Sequence, residues 1–137
     1  MNKYNVNDPI FVESKLYQNF LKQNPTQGFL KIRAFAANQA IPISGLKIIV
    51  SKIIDNNKII FFEGNTNESG IIEKINLPAP TLNTDNLNIP STITYNIEAI
   101  YNSDDINRVY QVNIYENIYV VQTINIVPKL NNNMGDI

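Results

Sequence analysis

Thr92–Tyr101 reads TITYNIEAIY and shows the cleanest apolar alternation in the chain. One side of an extended backbone would collect Ile93, Tyr95, Ile97, Ala99 and Tyr101. The other side would carry mainly polar residues. Because successive side chains of a strand point to opposite faces, this pattern predicts a strand with one buried face.

Six further segments of similar length show the same kind of pattern and are separated by turn residues roughly every ten positions. They are Phe29–Ala37, Leu46–Ile54, Ile59–Glu63, Ile71–Leu77, Arg108–Tyr115 and Tyr119–Val127. Seven short strands without an internal helix are typical of an antiparallel β-sandwich, and we predict that all-β fold class.

The residues between the strands indicate turns. Asp55 and Asn56 tolerate a positive φ and predict a hairpin, and Gly70 has the same freedom. Pro78 and Pro80 lack the amide N–H, so the fourth strand is expected to end there.

One α-helix is predicted before the first strand. Apolar residues recur at helical spacing between Phe11 and Lys22, and either Asp8 or Ser14 could cap the helix. The helix could cover its own domain, including Phe29 and Phe35, or dock on a neighbouring subunit. The predicted organisation is an N-terminal arm (1–27), a β-sandwich (28–128) and a polar C-terminal tail (129–137).

The amino-acid composition limits the catalytic and binding functions that the chain could have. The 137 residues include no cysteine and no histidine, and the net charge is −1. Disulfides and thiolate chemistry are excluded, the commonest metal ligand is missing, and no basic cluster indicates nucleic acid. We predict no enzymatic activity, no catalytic residues, no cofactor and no metal site, although the turns Asp55–Asn57 and 102–105 leave calcium open.

The chain also indicates where it is made. Its N-terminus has no apolar core typical of a signal peptide, and no segment approaches the length of a membrane span. We therefore expect a soluble cytoplasmic protein, associated with a spore or cell surface only after assembly or lysis.

A candidate interaction surface follows from the strand alternation. Aromatic and basic residues share the face opposite the aliphatic one on the first strand, and further aromatic residues flank the last turn and the helix. The candidate residues are Phe29, Lys31, Arg33, Phe35, Leu16, Phe20, Tyr115 and Tyr119. If these side chains are exposed together, they form a patch of the kind that marks association.

Three motifs carry a family resemblance. They are GFLKIRAFAANQAIPISGLKIIVSK from Gly28, TNESGIIEKINLPAP from Thr66, and VNIYENIYVVQTINIVP up to Pro128. Together with ITYNIEAIY, they resemble the carboxypeptidase-regulatory-like, or transthyretin-like, bacterial β-sandwich. Two departures are Asn67, where the family usually has Asp, and Asn102–Asp105, where it usually has a Gly-Tyr.

The resemblance implies an immunoglobulin-like or transthyretin-like sandwich without catalytic activity. This version is similar to small proteins and propeptide-like domains of spore-forming anaerobic bacteria. We therefore predict a structural or protein-interaction domain, self-assembling or binding another protein. The alternative is a binding or regulatory module for cell-wall glycan or for a spore-cortex-lytic enzyme.

Overall fold

The computed structural model describes residues 1–86, 88, 91–101 and 106–126, with only the backbone described at 106 and 107. The predicted turn at 102–105, the last strand residue Val127 and the tail 129–137 lie outside the described residues.

Within the described part, the chain forms nine strands and two short helices. The strands are β1 (Asn2–Asn5), β2 (Thr26–Ala36), β3 (Ile41–Pro42), β4 (Lys47–Ile54), β5 (Asn57–Asn65), β6 (Ile71–Ala79), β7 (Thr92–Tyr101), β8 (Ile106–Tyr115) and β9 (Tyr119–Asn125). The helices are α1 (Pro9–Val12) and α2 (Lys15–Gln23).

The strands form two sheets, which confirms the predicted all-β sandwich. The first sheet has the order β1, β5, β4, β7, β8. In the second sheet, β2 lies between β6 and β9, and β3 pairs with the end of β2. Most neighbours are antiparallel, but β1 runs parallel to β5 and β9 runs parallel to β2.

The core lies between the sheets and contains the alternating residues that the sequence predicts. Leu30, Ile32 and Ala34 of β2 are fully buried, as are Tyr95 and Ile97 of β7. Burial of these side chains removes apolar surface from water and is the main force holding the sheets together.

The N-terminal arm differs from the single helix that the sequence predicts. Asp8 caps α1, Ser14 caps α2, and both candidate caps are therefore used. Ser14 has an extended backbone (φ −65°, ψ 150°), and its hydroxyl accepts from the Tyr17 N–H. A capping serine competes with helix continuation, so the apolar periodicity is divided between two helices.

Two short strands are additional to the seven predicted ones. β1 pairs with β5 over four residues, and β3 pairs with β2 over two. Neither is long enough to show a period of two, so the alternation that reveals the other strands cannot reveal these.

The fourth predicted strand extends further than its prolines suggest. β6 continues to Ala79, and Pro78 lies opposite Gln27. Because β6 is at the edge of the second sheet, Pro78 can direct its missing N–H away from β2 without loss of a ladder bond.

In the part of the chain that the structure describes, neither helix is long and apolar enough to cross a membrane.

Candidate interaction surface

The outward face of the second sheet brings together most of the predicted interaction residues. We call it the second-sheet surface and define it by Phe29, Lys31, Arg33, Phe35, Glu73, Lys74, Tyr119 and Val121. The first four alternate with the buried residues of β2, so they lie on the side away from the core.

An aromatic pair stands at the centre of this surface. The parallel register places Phe29 beside Tyr119, with ring centroids 5.5 Å apart and ring planes at 34°. The ammonium of Lys74 lies 4.5 Å from the centroid of Phe29. The Phe29 ring is therefore flanked by a second ring and by a cation, which limits its conformational freedom.

Polar contacts connect the three strands across the same surface. Lys31 Nζ lies 3.3 Å from a carboxylate oxygen of Glu73. The Tyr119 hydroxyl donates to the backbone carbonyl of Glu73 at 3.0 Å, so its ring extends across β2. Arg33 lies over the Phe35 ring at 4.9 Å. These contacts hold long side chains in place before any partner binds.

Exposed apolar side chains continue from this surface to the β8–β9 turn. Tyr119 and Val121 are each 51% exposed, and Ile118 in the turn is 50% exposed. Tyr115, at the end of β8, is 36% exposed. Large apolar side chains that are clustered in this way mark a site of association more often than isolated ones do.

The helical arm lies elsewhere, which corrects the expectation that it covers Phe29 and Phe35. The Phe20 and Tyr17 rings pack on Phe61 of β5, with centroids 5.5 and 6.2 Å apart. Phe20 is only 6% exposed and is a core residue, and Leu16 packs against the same core. The arm therefore caps its own domain, and these two residues are not part of the second-sheet surface.

Other members of the surface were not proposed from the sequence. The alternation of Val120, Gln122 and Ile124 on one face already implies that Val121 points outward. Lys74 and Glu73 join the surface only through the β2–β6 register, which contains a bulge between Leu30 and Ile32. No local pattern in the sequence specifies that long-range register.

A separate cleft of about 930 Å³ lies at the far end of α2. It is lined by the end of α2, the β4–β5 turn and residues 80–85. Lys52 of β4 also contributes to the lining. Burial lowers the pKa of Lys52, and its Nζ donates to the Thr94 carbonyl at 2.8 Å. Lys52 is thus engaged with its own sheet and does not project freely into the cleft.

The turn that the sequence left open as a calcium site is a hairpin turn. Asp55 and Asn56 have φ values of 48° and 63°, as expected for a two-residue hairpin. The side-chain amide of Asn57 donates to the backbone carbonyls of Ile54 and Asp55. Among the described residues, no three acidic side chains come together as a metal-binding group. The second candidate turn, 102–105, lies outside them.

The sheet order is that of a β-sandwich, and it agrees with the transthyretin-like fold that the sequence resembles. The chain is similar to a solved structure of 5-hydroxyisourate hydrolase from Klebsiella pneumoniae, with a TM-score of 0.50 and 14% sequence identity. The match covers 75% of this chain and 92% of that one. At this identity, the similarity concerns the fold alone. No protein-family model and no curated protein sequence matches the chain.

Proposed function

We propose that this chain is a non-enzymatic interaction domain that binds protein partners through the second-sheet surface. The observation that carries the proposal is the continuous exposure of Ile118, Tyr119 and Val121 beside the Phe29 ring. Interfaces are enriched in aromatic residues and Arg, and Arg33 and Phe35 extend the same surface.

The internal contacts of this surface favour binding. Side chains that are immobilised on association cost about 0.5–1.5 kcal/mol each. Tyr119 is already held by its hydrogen bond to Glu73, and Lys31 by its ion pair. A partner therefore meets a partly ordered surface, and more of the burial energy is retained as affinity.

The non-enzymatic part of the proposal is supported by the composition. A chain without histidine or cysteine must rely on carboxylates, Lys, Tyr or Ser for proton transfer or nucleophilic attack. Glu63, Glu73 and Glu98 lie on strands, and each is in an ion pair with a lysine. Those pairings use the carboxylates structurally.

A direct assay tests this part. One solved structure to which the chain is similar is a 5-hydroxyisourate hydrolase, so the purified chain should be assayed with 5-hydroxyisourate. We expect hydrolysis at the rate of buffer alone. A protein-dependent rate that is lost on heating would contradict the proposal.

The interaction itself is tested by exchanging exposed apolar residues in two places. The variant Tyr119→Ser/Val121→Ser alters the second-sheet surface, and Ile53→Ser/Val109→Ser alters exposed residues elsewhere as a control. Association should be measured by light scattering and by affinity capture of protein partners. We expect the first variant to weaken association at least about tenfold, as loss of interface anchors does. Equal behaviour of the two variants would overturn the proposal.

The sequence resemblance adds a location for such a domain, in a spore-associated or surface structure. That location stays a prediction. Immunogold labelling of the native protein in its source cells would test it, with label over spore or envelope layers as the expected result.

A second candidate function is the binding of cell-wall glycan. It is favoured by one observation, the half-exposed Tyr119 ring beside Phe29, since exposed rings can stack on sugar rings. This function predicts that the chain sediments with peptidoglycan and that Tyr119→Ser abolishes the sedimentation.

A further inference from the structure

The outer edge of β9 presents a row of backbone groups, of which only the Thr123 carbonyl is bonded within the described residues, to the Gln122 side-chain amide at 3.0 Å. The Phe29 N–H donates to the Ile118 carbonyl at 3.0 Å, and the Ile126 N–H donates to the Phe35 carbonyl at 2.8 Å. In a parallel ladder, alternate residues of one strand bond to the neighbour. The residues of β9 that face away from β2 are therefore Tyr119, Val121, Thr123 and Asn125.

The other sheet edges carry features that discourage strand addition. β6 contains Pro78 and the charged pair Glu73 and Lys74, and β3 has two residues, one of them Pro42. β1 has four residues and includes Lys3, and β8 carries Arg108. Charges, prolines and short length are the usual protection of an open edge.

β9 has none of this protection. Its seven residues, YVVQTIN, include no charge and no proline. Two of its four edge-facing residues, Tyr119 and Val121, also expose half of their side chains. An apolar, uncharged and unprotected edge is a template for another strand.

We propose that the strand added to this edge is β9 of a second copy of the same chain, in antiparallel orientation. This inference goes beyond the proposed function, because the second copy joins the edge of the second-sheet surface and leaves its outward face free. The reason for choosing a second copy is self-complementarity. In a two-fold pair, each residue of β9 faces a residue of the same strand, and a strand without charges meets no like charge.

The alternation of backbone groups specifies one register. All four edge-facing residues of β9 form backbone hydrogen bonds to the other copy only if the two-fold axis passes beside Gln122. Val121 then faces Thr123 of the other copy, and Tyr119 faces its Asn125. Each such pair exchanges two hydrogen bonds, which gives about eight across the interface. The two second-sheet surfaces become one continuous surface.

Sedimentation velocity with matched charge variants tests the interface. Val121 and Val109 are both exposed valines on strands, and each can be changed to Lys. Val121→Lys places a charge at the proposed interface, diagonally across from the same residue of the other copy, whereas Val109→Lys lies on β8. We expect wild type and Val109→Lys to dimerise, and Val121→Lys to dissociate at least about tenfold more readily. If both variants dissociate equally, the proposal is wrong.

Oxidative cross-linking tests the register. The chain has no cysteine, so a single introduced thiol can form only an intermolecular disulfide. Gln122 would face Gln122 of the other copy in a non-hydrogen-bonded pair, with Cα atoms about 4.5 Å apart, which is within disulfide range. We expect Gln122→Cys to form a disulfide-linked dimer and the exposed control Asn76→Cys on β6 to form no covalent cross-link. Equal cross-linking would overturn the register.

Two other outcomes separate this inference from the proposed function. If the wild type is monomeric at all concentrations and dimerises only after deletion of 129–137, the chain's own tail occupies the edge and the inference is wrong. If the wild type is monomeric but Tyr119→Ser/Val121→Ser still weakens capture of a different protein, the inference fails and the proposed function stands.

Discussion

At the scale of residues, the turn before β6 shows how side chains replace regular hydrogen bonding. The Thr66 hydroxyl donates to the Ile43 carbonyl at 2.6 Å and accepts from the Leu46 N–H at 3.0 Å. Asn67 Oδ1 accepts from the N–H groups of Ser69 and Ile71. An aspartate carboxylate could accept the same two bonds, so the departure at Asn67 from the family pattern leaves the turn intact.

The Thr66 contacts give the first prediction. Thr66→Val keeps the shape of the side chain but leaves a buried N–H and a carbonyl without their partner, and we expect a loss of about 1–3 kcal/mol of stability. Thr84→Val, at an exposed position where the hydroxyl bonds no described residue, is the control and should change stability by less than about 0.5 kcal/mol. Urea unfolding measures both. Equal losses would show that the Thr66 bonds do not hold the turn.

The second prediction concerns pH. Burial raises the pKa of Tyr95 well above its ordinary value of 10.0, and the neighbouring Tyr17 adds to the shift. Up to pH about 10, Tyr95 keeps its phenol proton in both the folded and the unfolded state. Above that pH, it ionises only in the unfolded chain. Stability should therefore fall as the pH rises beyond about 10, by up to about 1.4 kcal/mol per unit.

Tyr95→Phe isolates this effect, because the other partly buried ionisable groups, Tyr17 and Lys52, are present in both the wild type and the variant. The variant loses the 2.5 Å bond to the Pro78 carbonyl and should be about 1 kcal/mol less stable at neutral pH. Its stability should then decline less steeply above pH 10, measured by urea unfolding between pH 8 and 11. Parallel pH curves for the two proteins would contradict the assignment.

At the scale of elements, the helical arm is a structural lid on one side of the core. Phe11, Tyr17 and Phe20 are buried and make a chain of ring contacts from Tyr4 to Phe61. The apolar periodicity was enough to predict a helical segment here. Its division at Ser14 and its position against β5 depend on capping and on tertiary packing, which the periodicity does not contain.

The third prediction compares two phenylalanines. Phe20→Ala removes a buried ring from the core and should cost about 3–5 kcal/mol, whereas Phe29→Ala removes a half-exposed ring and should cost much less. Thermal or urea unfolding distinguishes them. A larger loss for Phe29→Ala would mean that the second-sheet surface serves stability more than binding.

At the scale of the whole molecule, the sandwich has two unlike outer faces. The first sheet carries ion pairs such as Lys58–Glu98 (2.7 Å) and the Thr94–Asn113 hydrogen bond. The second sheet carries the aromatic pair, and within the described residues no strand pairs with the outer edge of β9. Alternation along β2 was sufficient to predict Phe29, Lys31, Arg33 and Phe35 on one face. The contribution of β6 and the free edge of β9 follow from strand order, which a single strand's pattern does not specify.

Amide hydrogen exchange as a function of protein concentration tests the central claim most directly, because it needs no substitution. At low concentration, the amides of Val120, Gln122 and Ile124, which face β2, should be protected, and those of Tyr119, Val121 and Thr123 should exchange rapidly. We expect the second set to become protected as concentration rises. Exchange that is independent of concentration at these amides, with new protection on the outer face of the first sheet instead, would contradict the account.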